Sequence, residues 1–309
     1  MTQVSGLPKL NKQTPVAVLA AGRLGSSIAG AMLKTGFNVA AVSSRRADHR
    51  DWLSTNLAST LTGQLSGPVI ASKAQTAADL ATVVFITGPD SAIENICAGI
   101  NWRDDQAVLH CAGVLPVSIL DSAFGRNVST GGFHPLQTFP SPDSSDRLKG
   151  VSIAVEADNS DLLDWLKLLA TDLGGSSVEI ESGQRAAYHA SAVMACGLVS
   201  GLVGLAAEMW EPLGVDRDEA VKRLIPLIRS TVDALDAQGL PSAITGPFVR
   251  GDVETIESHL DATSRTSPEM GRAYAALALA SLHIAREQGG LSDDAFERIK
   301  SALSPTNRE

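Results

Sequence analysis

The sequence predicts a doubly wound parallel α/β sheet followed by an all-helical domain. Three observations carry this. From Pro15 onward, short Val/Ala/Ile-rich runs alternate with helix-like segments, as a parallel sheet covered on both faces requires. After Glu181 the pattern changes and helical periodicity dominates. The length of 309 residues accommodates about two domains at roughly 150 residues each.

The strand-like runs are 15–19, 38–42, 68–71, 82–87 and 107–110. None shows polar alternation, so each is expected to be buried on both faces. Helices are expected at 23–34, 49–57, 90–98 and 116–123. Two later strands, 151–156 and 177–180, flank a helix at 161–172 whose Leu162, Leu163, Leu166 and Leu169 follow helical spacing. Five further helices are predicted at 184–211, 216–237, 252–261, 268–288 and 293–303. Ser267 ahead of Pro268, and Ser292 ahead of Asp293, supply start signals, while Gly289 and Gly290 close the helix between them. The chain therefore divides into a flexible tail (1–14), a nucleotide domain (15–182) and a helical substrate and dimerisation domain (183–309).

Composition narrows the function. The net charge of −9, without a long Lys/Arg run, argues against nucleic acid and anionic membranes as partners. An aromatic content of 4% leaves little for base stacking. Three cysteines, Cys97, Cys111 and Cys196, form no CxxC pair, so neither a disulfide framework nor a metal site is expected. Cys111 and Cys196 read as small buried residues. The polar N-terminus lacks a signal-peptide core, which points to the cytoplasm. Residues 186–207 carry no Asp, Glu, Lys or Arg, but their Ala/Gly/Ser content favours a buried core helix over a membrane span. Within it, Gly197, Gly201, Ser200 and Gly204 at four-residue spacing allow another helix to approach closely, within the chain or across a homodimer.

The first strand runs into Ala20-Ala21-Gly22-Arg23-Leu24-Gly25 and then a helix. This is a dinucleotide-binding turn of the Rossmann type, with Ala20 in place of the first glycine. Gly22 lets the backbone approach a pyrophosphate, Gly25 lets helix pack on strand, and the helix N-terminus favours anions. An NAD site places an acid about 20 residues later. Here the second strand ends in Ser43-Ser44-Arg45-Arg46, with no acid before Asp48. Hydroxyls and guanidinium groups suit the 2′-phosphate of NADP(H). Thr87, Gly88 and Pro89 end the fourth strand on the same carboxyl edge, beside the expected cofactor.

For chemistry, His110 ends the fifth strand, and His134 lies in a Pro-fixed loop, Gly132–Phe139. Arg185 and His189, four residues apart, open the long helix on one face. Arg250 lies in a connection spanning 245–252, where Asp252 can cap the next helix. His134 and His189 are candidate proton donors, and Arg185 and Arg250 are candidate carboxylate anchors.

These residues carry a resemblance. The HPLQTF segment at 134–139, the Tyr188-His189 helix start and TGPFVRGD at 245–252 resemble a bacterial family. That family joins a Rossmann-like domain to a helical C-terminal domain of unknown function. The layout is more distantly similar to pyrroline-5-carboxylate reductase, ketopantoate reductase, prephenate dehydrogenase and 6-phosphogluconate dehydrogenase. The resemblance implies a 6-phosphogluconate dehydrogenase-like helical domain that often builds the dimer. Where such proteins often carry Gly, Ser, Lys and Asn, this chain has Ala20, Ala112, Arg185 and Gly197. An Arg does not give up a proton, which shifts any acid role to His134 or His189. The resulting expectation is an NADPH-dependent reductase of a small carboxylated 2-oxo acid or imine, possible chemistry including that of ketopantoate reductase. The alternatives are a catalytically silent NADP(H)-binding protein and hydride exchange between NADP and a deazaflavin.

Overall fold

The computed structural model describes residues 7–58, 67–124 and 128–304. The chain divides into two compact units, residues 1–193 and 194–309.

The first unit is built on one eight-stranded sheet with strand order 3-2-1-4-5-6-7-8. Its strands are β1 (Val16–Leu19), β2 (Val39–Ser43), β3 (Val69–Ala71), β4 (Val83–Ile86), β5 (Ala107–His110), β6 (Ser129–Pro135), β7 (Ser152–Ala157) and β8 (Ser176–Glu179). Helices α1 (Arg23–Lys34), α2 (Ala47–Ala58), α3 (Ala74–Ala78), α4 (Asp90–Ala98), α5 (Asp121–Phe124), α6 (Ser160–Asp172) and α7 (Arg185–Val193) complete it. All pairings are parallel except β6 with β7. The order reverses between β1 and β4, which makes their carboxyl ends the crevice where such sheets take ligands.

Why the strands lack polar alternation is now visible. Val16 and Val18 of β1 enter one core, while Ala17 and Leu19 enter the other. Val83 and Phe85 of β4 are likewise divided from Val84 and Ile86. The few aromatics concentrate in the first core. Phe85 meets Phe133 edge-on at 5.7 Å, and Phe37 meets Trp165 at 6.1 Å, contacts worth about 0.5–1.5 kcal/mol each beyond burial.

Several expectations are corrected. Residues 129–135 form β6, so His134 lies in a strand and not in a loop. Gly131 and Gly132 hid this strand from periodicity, yet each sits where a side chain would collide: with the Glu156 carbonyl for Gly131 and with Arg185 for Gly132. The segment expected as a helix over 116–123 is a 3-10 turn at Val117–Leu120 followed by the short α5. Of the expected flexible tail, residues 1–6 lie outside the described residues. Residues 7–14 are packed: Leu7 and Leu10 lean on the first core, and Trp165 donates to the Asn11 carbonyl at 3.1 Å.

The second unit holds α8 (Val199–Glu208), α9 (Arg217–Gln238), α10 (Pro247–Arg250), α11 (Val253–Thr266), α12 (Pro268–Glu287) and α13 (Asp293–Leu303). Val253, Ile256 and Leu260 of α11 pack with Ala278 and Leu282 of α12 and Ile299 and Leu303 of α13. The expected caps are present. Ser267 accepts from Met270 N, Ser292 from Ala295 N, and Asp252 from Thr255 N, each worth about 1 kcal/mol.

The helix expected over 184–211 is an unbroken helical run with a π segment, but it is not buried within the chain. A π turn at Met194–Leu198 joins α7 to α8, an irregularity that loosens the i→i−4 ladder. Met194 is 62% and Leu198 60% exposed. Cys196 is exposed as well, whereas Cys111 is buried as expected. By length and composition the run Ser182–Leu213 is long and apolar enough to cross a membrane.

Candidate active site

The nucleotide turn is assembled by β1, β2 and β4. Ala20 leaves β1 with φ at +53°, a left-handed conformation normally given to glycine. Its amide lies 3.3 Å from the Ser43 Oγ, and the Ala21 amide donates to the Ser43 carbonyl at 2.8 Å. Ser43 is therefore buried beneath the turn and holds its shape. Gly22 precedes α1, and a Cβ built there meets nothing within 4 Å. No side chain caps this N-terminus and no acid lies in its first turn. Gly22 and Arg23 are exposed, so the amides face open space suited to a pyrophosphate. Gly25 has a different reason to be glycine: a Cβ there would sit 2.1 Å from the Thr87 Oγ1. Thr87 itself donates to the Leu19 carbonyl at 3.0 Å. Thus Ala21, Gly22, Arg23 and Gly25 shape the turn, while Leu24 leans into the core.

Beside the turn lies a cavity of about 360 Å³ whose lining includes Ala20, Ser44, Arg45, Pro89 and Asn95. Arg45 is exposed, while Arg46 pairs with Asp48. Asn95 and Ile96 also line the cavity. They were missed because α4 gives no motif; only their i, i+4 relation to Ser91 and Ala92 would have placed them at one helix face. The residues fit NADP: a glycine cradle, a bare helix N-terminus, and no free acid at the end of β2.

A second cluster gathers at the carboxyl ends of β5 and β6. His134 Nδ1 lies 2.9 Å from the Tyr188 hydroxyl, and the His134 and His189 rings are 6.2 Å apart. A Cβ on Gly113 would come within 2.5 Å of the His189 ring and 2.9 Å of His134 Nε2. Only glycine at 113 lets both rings close over the strand end.

Arg185 lies behind them, 1% exposed. Its Nε donates to Glu156 Oε2 at 2.7 Å and its Nη1 to the Ala112 carbonyl at 3.1 Å. Ser182 also donates to Glu156. The Nη2 end of the guanidinium lies against Gly132, and among the described residues Nη2 has no hydrogen-bond partner. The sequence cast Arg185 as a carboxylate anchor; the structure places it as a buried tie between α7, β7 and the end of β5.

Burial dominates the electrostatics. It pulls His134 down to about 4, helped by His189 and Arg185, and pulls His110 down to about 3, helped by Arg185 and His134. Both are neutral at pH 7. His110 Nδ1 accepts from the Ala112 amide at 3.2 Å, leaving its buried Nε2 without a described partner. Burial also raises the Tyr188 hydroxyl and pushes the Cys111 thiol up to about 12, which leaves that thiol inert. The arrangement offers neutral hydrogen-bond donors, Tyr188 with His134, and no metal cluster among the described residues.

The structure thus brings His134, His189 and Arg185 together. Arg250 is exposed at the end of α10 in the second unit. Tyr188 and Glu156 were missed as site residues. Tyr188 stands three residues after Arg185, and that helical spacing was the available signal.

Two family models match the chain. Residues 15–112 match "NADP oxidoreductase coenzyme F420-dependent", and residues 151–281 match a domain of unknown function, DUF2520. A comparison with curated proteins finds no significant match. Among solved structures, a Bacteroides fragilis protein described provisionally as an NADP oxidoreductase is 25% identical. It covers 88% of this chain and 98% of its own, with a TM-score of 0.67. A Thermotoga maritima protein is 20% identical over 89% of this chain and 99% of its own, with a TM-score of 0.70. The 1-pyrroline-5-carboxylate reductase of Streptococcus pyogenes shares the fold at 15% identity, covering 94% of this chain and 100% of its own, with a TM-score of 0.59. The chain is thus similar, over the glycine turn and the acid-free β2 end, to NADP oxidoreductases of the coenzyme F420-dependent type, and from β7 into α12 to DUF2520.

Proposed function

We propose that this protein is a cytosolic NADPH-dependent reductase of a small carboxylated imine or 2-oxo acid. The observation that carries the reading is one sheet edge bearing both the bare α1 turn and the His134–Tyr188 pair. Gly22, Arg23 and the first amides of α1 would hold the pyrophosphate, and Ser44, Arg45 and Arg46 the 2′-phosphate. Thr87, Gly88 and Pro89 would flank the cofactor at the end of β4. NADPH, when bound, supplies a hydride. Tyr188 and His134 would deliver the proton to the product nitrogen or oxygen, with His189 closing over the same point. Arg185 would position β5 and β7 through the Ala112 carbonyl and Glu156.

The protein is further read as a homodimer. Met194, Leu198 and Leu202 are exposed at four-residue spacing, and a Cβ on Gly197, Gly201 or Gly204 would meet nothing within 4 Å. A second copy is the partner that fits this smooth apolar stripe.

Fluorescence titration tests the cofactor: NADPH should bind more tightly than NADH, and equal affinities or tighter NADH would overturn the reading. NADPH oxidation against a panel of cyclic imines and 2-oxo acids tests the reaction. Tyr188→Phe should lower kcat by about 10²–10⁴-fold, the span of general acid catalysis, with NADPH affinity kept. Tight NADPH binding without turnover on any substrate would instead identify a silent binder. A second reading, hydride exchange with a deazaflavin, is favoured by the family model over residues 15–112. Turnover with a deazaflavin but no imine or oxo acid would select it.

A further inference from the structure

Two reacting groups fit the proposed reductase, a C=N bond and a C=O bond, and the charges around the His134–Tyr188 pair tell them apart. Among the described residues, the titratable groups gathered at this strand end come from four elements. His110 and Cys111 stand at the end of β5, His134 in β6, Glu156 in β7, and Arg185, Tyr188 and His189 in α7. Glu156 is the carboxylate of the group, and both its oxygens are engaged: Oε1 accepts from Ser182, and Oε2 accepts from Arg185 Nε at 2.7 Å.

Arg185 reaches across three strands, from Glu156 in β7 past Gly132 in β6 to the Ala112 carbonyl just beyond β5. Its Nε end is matched by the carboxylate. Its Nη1 meets a neutral carbonyl, and its buried Nη2 has no hydrogen-bond partner among the described residues. The uncompensated half of the guanidinium therefore lies over β5 and β6. His110 and His134 share that face: His110 is the register partner of Gly132, and His134 follows Gly132 by two residues.

The imidazoles report the sign of the field. An imidazolium and a protonated imine are the same kind of acid, a cation that becomes neutral on losing its proton. Burial first, then His189 and Arg185, hold His134 at about 4, and no carboxylate of the described residues offsets them. The conjugate base of Tyr188 is an anion; burial raises this hydroxyl and Arg185 opposes the rise. Burial thus works against either charge, while Arg185 works against a cation and for an anion. A C=N bond accepts hydride readily only when protonated and cationic, whereas a C=O bond gathers negative charge on oxygen.

We propose that this site reduces a carbonyl and not an imine, and that Arg185 is the positioning residue that sets the choice through Tyr188. The inference rests on the NADPH-dependent reduction proposed above and narrows its substrate to a 2-oxo acid. In that step the carbonyl carbon gains the hydride with its electron pair, the π pair moves to the oxygen, and the oxygen takes the Tyr188 hydroxyl proton. The tyrosinate is reprotonated from water, and in the interval the guanidinium stabilises its charge.

The first test needs neither cofactor nor substrate. The chain holds two tyrosines, Tyr188 and Tyr274, so in a Tyr274→Phe background the tyrosinate absorbance belongs to Tyr188 alone, read by stopped flow before alkaline unfolding. Arg185→Gln should raise the Tyr188 pKa by about one unit, and Arg185→Lys, which keeps the charge, by much less. If Arg185 is only a tie, its loss admits water to the phenol and the pKa falls toward its ordinary value, which overturns the proposal. An equal rise in both variants overturns it too, because charge would not be the cause. The second test uses the unsubstituted protein, so it stands even where Arg185→Gln does not fold. With NADPH at pH 7, 2-oxo acids should be reduced with kcat/KM about tenfold or more above that of cyclic imino acids. Imino acids reduced as well or better overturn the proposal. Bound NADPH with turnover of neither class removes the reductase and this inference together. If NADPH does not bind, the cofactor site is misassigned, and the Tyr188 titration still decides the role of Arg185.

Discussion

At the scale of single residues, the candidate site is defined by what burial does to titratable groups. His110 and His134 are held near 3 and 4, below the 6.5 of an exposed imidazole. The unfolded chain therefore takes up protons that the folded chain refuses. Stability should fall as pH drops below about 6.5 and keep falling until the folded values are reached. Each histidine contributes a slope of at most about 1.4 kcal/mol per pH unit. Urea unfolding at pH 7 and pH 5 measures it, and His110→Gln should flatten the loss between the two. An unchanged slope would mean that His110 is not held neutral by the fold. The histidines themselves were legible in the sequence, as was Arg185. Their partners were not, because Tyr188 and His134 are 54 positions apart and Glu156 and Arg185 are 29 apart. Local spacing carries no information about pairs that meet only when β6, β7 and α7 are laid side by side.

At the scale of elements, the β1–α1 turn shows how a local rule can be broken and still function. Ala20 occupies a left-handed position that costs a non-glycine residue about 1–2 kcal/mol. Amide contacts to Ser43 and the backing of Gly88 hold it there. Ala20→Gly should remove the strain and, after glycine's greater unfolded-state entropy is subtracted, stabilise the protein by roughly 0.5–1 kcal/mol. Thermal unfolding of the variant checks this, and a lower Tm would show that the turn is not strained. Strand β6 is the opposite case, an element the sequence concealed. Its glycines read as loop residues, yet they are small because Arg185 and the β7 backbone press against them. The requirement comes from neighbours distant in sequence, so no periodicity records it.

At the scale of the whole molecule, the proposed homodimer makes a prediction about mass. Light scattering should give twice 32.2 kDa, and Gly201→Leu, which roughens the apolar stripe, should shift the protein toward monomer. A monomer at micromolar concentration would overturn the dimer, and co-sedimentation with liposomes would instead assign Ser182–Leu213 to a bilayer. The sequence by itself determined the alternation of strands and helices, the change to helices near residue 182, the glycine turn and the acid-free end of β2. These follow from local hydrophobic period, capping chemistry and backbone freedom, which each residue carries with it. Only the tertiary structure decided that Arg185 is buried against Glu156 and that His134 shares a hydrogen bond with Tyr188. Those facts depend on which side chains meet after the sheet has formed and on how much water is excluded around them.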